Sequence, residues 1–163
     1  MNKRFAIFVS VGLVVMGVIV FFTFATTKQN HLELTGKILK VRSGAIDENS
    51  SAAVLDFRVQ DPSDVPFVIR EVTVMLENPD GTSTDAMIVA KSDVQQLLAY
   101  NKFLGVQYND GLAIHEKIAP HATIDRMIAV RFEVPKATLD RAKGIKLHFQ
   151  DVDGTEWETE YAF

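Results

Sequence analysis

The sequence predicts an all-β antiparallel sandwich with two short helices, preceded by one N-terminal transmembrane helix. Three observations predict it. Residues 5–27 carry no charge, two-residue hydrophobic periodicity recurs from residue 53 onward, and turn-forming pairs separate the periodic runs.

The N-terminus comes first. "FAIFVSVGLVVMGVIVFFTFATT", residues 5–27, holds 23 residues without a charge. At 1.5 Å per residue a helix of that length spans roughly 30 Å of hydrocarbon. Lys3 and Arg4 precede it, and positive charge beside the first span is retained in the cytoplasm. The expected organisation is a cytoplasmic terminus over 1–4, a transmembrane helix over 5–27, a tether over 28–31 and an extracytoplasmic domain over 32–163. The competing reading is a cleaved signal peptide, with "TFA" at 23–25 as the cleavage site, although secretory apolar cores run only about 7–15 residues. Gly12 and Gly17 are five apart, which does not match the four-residue spacing of a helix-dimerisation face.

Composition narrows the chemistry. With no cysteine, a lipoprotein anchor, disulfides and thiolate metal sites are all excluded. Setting Lys3 and Arg4 aside from the 17 basic residues leaves 15 against 21 acidic ones, a net charge near −6. Such a surface repels phosphate backbones, so nucleic acid is not an expected partner.

The strands follow by alternation. Ala53, Leu55, Phe57 and Val59 share one face, as do Val72, Val74 and Leu76. Ile128, Val130, Phe132 and Val134 repeat the pattern, then Ile145, Leu147 and Phe149, then Trp157, Thr159, Tyr161 and Phe163. One buried and one wet face is the signature of an antiparallel sheet. "NPDG" at 78–81 and "DG" at 153–154 predict hairpins. In "HLELTGKILKVR" the apolar parity changes from Leu32 and Leu34 to Leu39 and Val41, which places a bulge at Gly36. "SDVQQLLAYNKFLG" predicts a helix with Ser92 as N-cap and Gln95 completing a capping box. "VPKATLDRAKG" predicts another, with Pro135 as first helical residue and Gly144 as terminator. About seven or eight strands with regular turns give two sheets.

"SSAAVLDFRVQDPSDVPFVIREVTVML" resembles the first half of late-embryogenesis-abundant type 2 (WHy-like) domains. Asp61-Pro62 stands where that family has an Asn-Pro turn. "TIDRMIAVRFEVPKATLDRAKGIKLHFQDVDG" is similar to exported FxLYD-type and other Ig-like domains of bacteria. The resemblance implies an Ig-like β-sandwich of a largely non-enzymatic group, and it supplies no catalytic residues.

Candidate sites are few. "HEKIAPHATIDR", residues 115–126, gathers His115, Glu116, His121 and Asp125. A zinc site needs imidazoles and a carboxylate converging. The six-residue spacing of His115 and His121 matches neither a helix nor a strand face, so the segment reads as a polar loop entering a strand. Neither His148, on the wet parity of its strand, nor His31, in the tether, is an obvious third ligand. The metal alternative is calcium, held by Asp61, Asp64, Asp151 and Asp153 in two loops at one end of the sandwich. Aspartate also favours turns by capping local N–H groups, which is the simpler reading. No GxSxG, HExxH or Gly-rich phosphate loop is present, and Glu116 with Asp125 makes only a nominal acid–base pair. No enzyme, cofactor or small-molecule substrate is therefore expected. The long connection over 102–121 carries Phe103 and Tyr108, natural anchors for a protein partner.

The expected function is a non-enzymatic single-pass membrane protein. Residues 5–27 would engage the bilayer, and an exported sandwich would engage an unknown protein of the cell envelope. Stress protection, as the late-embryogenesis-abundant resemblance implies, and calcium-dependent binding are the alternatives.

Overall fold

The computed structural model describes residues 12–21 and 34–163. Residues 12–21 are helical (α1). Contacts divide the chain into Met1–His31 and Leu32–Phe163. The expected span over 5–27 lies partly, and the tether over 28–31 wholly, outside the described residues. Among the described residues no helix is long and apolar enough to cross a membrane.

The larger unit is a two-sheet antiparallel β-structure. Its strands are β1 (Thr35–Ala45), β2 (Ser51–Gln60), β3 (Phe67–Glu77), β4 (Ser83–Asp85), β5 (Met87–Ile88), β6 (Lys117–Ile118), β7 (Thr123–Phe132), β8 (Gly144–Asp151) and β9 (Glu156–Ala162). One sheet runs β1-β2-β7-β5 and the other β4-β3-β8-β9, with β6 pairing the start of β3. Most of the alternating residues named above form the core between the sheets, whereas Phe163 is 53% exposed. Leu55, Phe57, Val74, Leu76, Val130, Phe132, Leu147 and Phe149 are all buried there. Phe57 meets Phe149 edge-on at 5.5 Å, and Phe149 meets Trp157 at 5.3 Å. Burial of apolar area is the main favourable term in such a core. Both predicted hairpins form, closed by Gly81 N donating to Asn78 O and Gly154 N to Asp151 O.

Several local expectations are corrected. The bulge in β1 lies between Ile38 and Lys40, so Leu39 is the extra residue rather than Gly36. The outward-looping Leu39 keeps Ile38 and Val41 on the core side. Gly36 answers to a different constraint, since a Cβ there would lie 2.3 Å from Arg58 O across the strand pair. The first helix is α2 (Val94–Tyr100), followed by a 3₁₀ turn over Lys102–Leu104. Its N-cap is Asp93, which makes no side-chain cap bond, while the Ser92 hydroxyl donates to the Asp93 carboxylate instead. The second helix, α3, spans only Lys136–Leu139. Pro135 precedes it in extended backbone, and Gly144 opens β8 rather than ending a helix.

The largest departure concerns β2. Ser51 through Phe57 are buried on both faces. The outer parity, Ala52 and Val54 with Met127 and Ala129 of β7, packs beneath Val94, Leu98 and Leu104 in a second apolar cluster. One half of that sheet is therefore dry on both sides, because α2 and the 3₁₀ turn lie across it.

Candidate interaction surface

The residue following Ala52 and Val54 on the outer parity of β2 is Asp56. It is buried, although a carboxylate is among the groups least tolerant of burial. Arg42, two positions further along β1 than the residue opposite Asp56, supplies its counterion at 2.9 Å, with side-chain exposures of 8% and 6%. Asn109 Nδ2 donates to the second carboxylate oxygen at 3.1 Å. The other terminal nitrogen of Arg42 donates to the carbonyls of Leu104 and, at 2.8 Å, Val106. The Tyr108 ring caps the guanidinium from 4.8 Å. One buried charge pair thus fixes both ends of the segment between the 3₁₀ turn and Asn109.

The root of the segment is fixed separately. Asn101 is buried; its Nδ2 donates to Ala45 O at 2.7 Å and its Oδ1 accepts from Phe103 N at 3.1 Å. Ala45 ends β1, whereas the chain enters the unit at the other end, near Thr35. Ten strand residues rise about 3.3 Å each, so the root stands about 30 Å from that entry.

This scaffold exposes apolar side chains. Phe103 is 87% exposed, and Tyr100, Val106 and Tyr108 are all largely exposed. Leu104 between them is fully buried and anchors the turn. Both sequence-identified anchors, Phe103 and Tyr108, therefore lie at the surface, and Tyr108 also packs on Arg42. Sequence reasoning missed Arg42, Asp56, Asn101 and Asn109. The available signal was an uninterrupted apolar run, "AAVL" at 52–55, followed by Asp56, since a strand apolar on both parities is covered on both faces.

The other candidates do not converge. His115 and His121 both occupy left-handed backbone, at φ 64 and φ 58, in the turns flanking β6. His121 Nε2 lies 2.9 Å from Asp64 at the surface, and Glu116 accepts from Arg126 at 2.6 Å. Asp125 receives both Nε and Nη2 of Arg58 at 2.7 Å. Hydrogen bonding to Arg58, and then its charge, holds the Asp125 carboxyl below the usual 3.8. Asp61 is buried as a turn cap, accepting from Ser63 N, Ser63 Oγ and Phe67 N. Asp151 likewise accepts from Val68 N and Val152 N, while Asp153 is exposed. Among the described residues no three His, Cys, Asp or Glu side chains are grouped to hold a metal ion.

Comparison with known proteins gives little. No family model matches the chain, and no curated protein does, so neither the late-embryogenesis-abundant nor the FxLYD resemblance has a family match behind it. Among solved structures, the chain is similar to the ycdA protein of Bacillus subtilis, a candidate lipoprotein, with TM-score 0.48 and 9% identity. That alignment covers 81% of this chain and only 37% of the Bacillus protein. The periplasmic archaellum stator protein FlaG of Sulfolobus acidocaldarius aligns at TM-score 0.35 and 10% identity, over 78% of this chain and 99% of FlaG. An uncharacterized β-sandwich protein of Clostridium difficile aligns at TM-score 0.35 and 12% identity, over 80% and 81%. These scores lie too low to carry an activity or a partner across.

Proposed function

We propose that this chain is a non-enzymatic, single-pass membrane protein that presents an exported Ig-like β-sandwich to another protein of the cell envelope through residues 100–108. One observation carries the reading: Tyr100, Phe103, Val106 and Tyr108 are exposed on a segment held by a buried ion pair and a buried asparagine. Apolar side chains on a preorganised segment lose little entropy on binding, and aromatic residues are the usual anchors of protein interfaces. The anchor itself rests on the uncharged stretch over 5–27 behind Lys3 and Arg4. The Ig-like reading rests on strand order: β1-β2-β7-β5 corresponds to strands A-B-E-D and β4-β3-β8-β9 to C′-C-F-G.

The test is photo-crosslinking of the full chain in its native membrane, with the reactive group at position 103 or, as control, position 71 on the other sheet. A discrete protein adduct from position 103, weakened by Tyr100→Ala and different from any adduct of the chain with itself at position 71, is expected. Adducts that are the same from both positions, or none from position 103, overturn the reading. Phe103→Ala should leave the melting temperature unchanged, because so exposed a side chain contributes little to folding.

A further inference from the structure

The outer face of one sheet is strongly acidic, and the outer face of the other carries two unpaired lysines. On the β4-β3-β8-β9 sheet, register aligns Glu71 with Gln150 and Glu156, Thr73 with His148 and Glu158, and Asp85 with Met75, Lys146 and Glu160. Glu77 completes the row along β3. Lys146 lies within this field, 2.7 Å from Glu77 and 3.5 Å from Glu158, and Lys143 stands near its Glu77 end. The hydrogen bond from Lys146 lowers the pKa of Glu77 and raises its own. Glu71, Asp85, Glu156, Glu158 and Glu160 are exposed, and α2 packs on the other sheet.

The opposite sheet is covered by α2 and the 101–110 segment over one half. On its uncovered half Lys37 aligns with Arg58, and Arg58 with Asp125. Arg58 already engages Asp125, and Lys37 and Lys40 have no ion-pair partner among the described residues. Lys40 Nζ stands 5.5 Å above the Tyr108 ring, which adds an aromatic edge to the basic patch. A domain that is acidic overall thus keeps two unpaired lysines on this half-face, with Arg58 and Asp125 paired to one another and Asp110 exposed beside Asp125.

We propose that a second copy of this chain docks its acidic β3-β8-β9 face against the Lys37–Lys40–Arg58 half-face. The two surfaces differ and lie on opposite sides of one sandwich, so the contact is heterologous and repeats as a linear stack. Charge complementarity selects the arrangement. With a net charge near −6 two copies repel on average, and this approach sets the carboxylates against Lys37 and Lys40, which have no ion-pair partner among the described residues. Met75 and Thr73 at the centre of the acidic face, and Tyr108 at the edge of the basic one, supply the less polar contact area.

The test is sedimentation of the full chain in detergent micelles across protein concentration, at about 20 mM and about 300 mM salt, where screening lengths differ several-fold. The wild-type chain is expected to associate at low salt and to dissociate at high salt. Lys37→Glu/Lys40→Glu and Glu158→Lys/Glu160→Lys are each expected to weaken association at least tenfold. Mixing the two variants should restore it, which misfolding of either variant would not allow. A wild-type chain that stays single at every low-salt concentration overturns the proposal. So does association that survives both reversals. Neither face includes Phe103, so this failure is distinguishable from failure of the position-103 crosslinking.

Discussion

Arg42 of β1 and Asp56 of β2 meet on the diagonal of the strand pair as an ion pair with under a tenth of either side chain exposed. Taking two charges out of water costs several kcal/mol per ion, and Arg42 Nε additionally has no acceptor among the described residues. The pair is tolerable because, Nε apart, its other hydrogen-bonding groups are met by the segment it holds: Asn109 on the carboxylate, and two backbone carbonyls with the Tyr108 ring on the guanidinium. The charge pair and the segment therefore stand or fall together. The apolar side chains at its surface inherit that rigidity.

Removing one member leaves the other charged and buried. Asp56→Ala is expected to destabilise the domain by about 3 kcal/mol. It should also raise hydrogen exchange over residues 102–110 while leaving β8 and β9 protected. Arg42→Met/Asp56→Leu should recover most of the stability, since no lone charge remains, but not the protection of the segment. Denaturant titration and exchange mass spectrometry separate the two effects. A cost below about 1 kcal/mol for Asp56→Ala would show that water reaches the pair.

Gly105 closes the 3₁₀ turn at φ 76 and ψ −152, a region essentially reserved for glycine. A Cβ there would also sit 3.2 Å from Arg42 Nη1. Gly105→Ala should cost about 1–3 kcal/mol and displace the Leu104 and Val106 carbonyls from the guanidinium. Crosslinking through position 103 should weaken in the same variant. Unchanged stability would mean the turn relaxes without strain.

The sandwich was legible because its inner parity is strict. Leu55, Phe57, Val130, Phe132, Leu147 and Phe149 alternate with polar neighbours on the outer parity often enough to name each strand. The covered half of the β1-β2-β7-β5 sheet was not legible, because burial of Ala52 and Val54 depends on α2 folding back from forty residues later in the chain. The same reason hides Asp56: a lone aspartate in a strand reads as solvent-facing until its arginine is known. Phe103 and Tyr108 could be picked out as large side chains in an aperiodic stretch. Which of the apolar residues there turns inward could not, and the structure assigns that to Leu104. The bulge was placed three residues early because Gly36 is a bulge-type residue, whereas its role is the close approach to Arg58 O.

Asp61 and Asp151 are held by backbone donors at the two loops where calcium was the alternative, and Asp64 turns to His121. Chelation with EDTA, or addition of calcium, is expected to leave the melting temperature of the full chain unchanged. Asp61→Ala should cost about 1–3 kcal/mol, because Phe67 N–H and Ser63 lose a buried acceptor. A calcium-dependent rise abolished by Asp151→Ala would instead make these loops a site.

The Arg58–Asp125 pair gives the fold a defined acid response. Its geometry is bidentate, at 2.7 Å for both bonds, and it lowers the Asp125 pKa from the ordinary 3.8. A carboxyl whose folded pKa is depressed binds its proton more readily when unfolded. The stability it contributes is therefore complete above the unfolded pKa near 4 and is lost as pH falls through the folded value. Glu77, depressed by Lys146, acts in the same direction from its ordinary 4.5. Melting temperature should hold from about pH 7 to about pH 5 on this account and decline below about pH 4. Asp125→Asn should start lower at neutral pH and decline less steeply in acid, and both differences should shrink in high salt, since the pair is exposed. A variant whose acid decline parallels the wild type would place the response in other carboxylates.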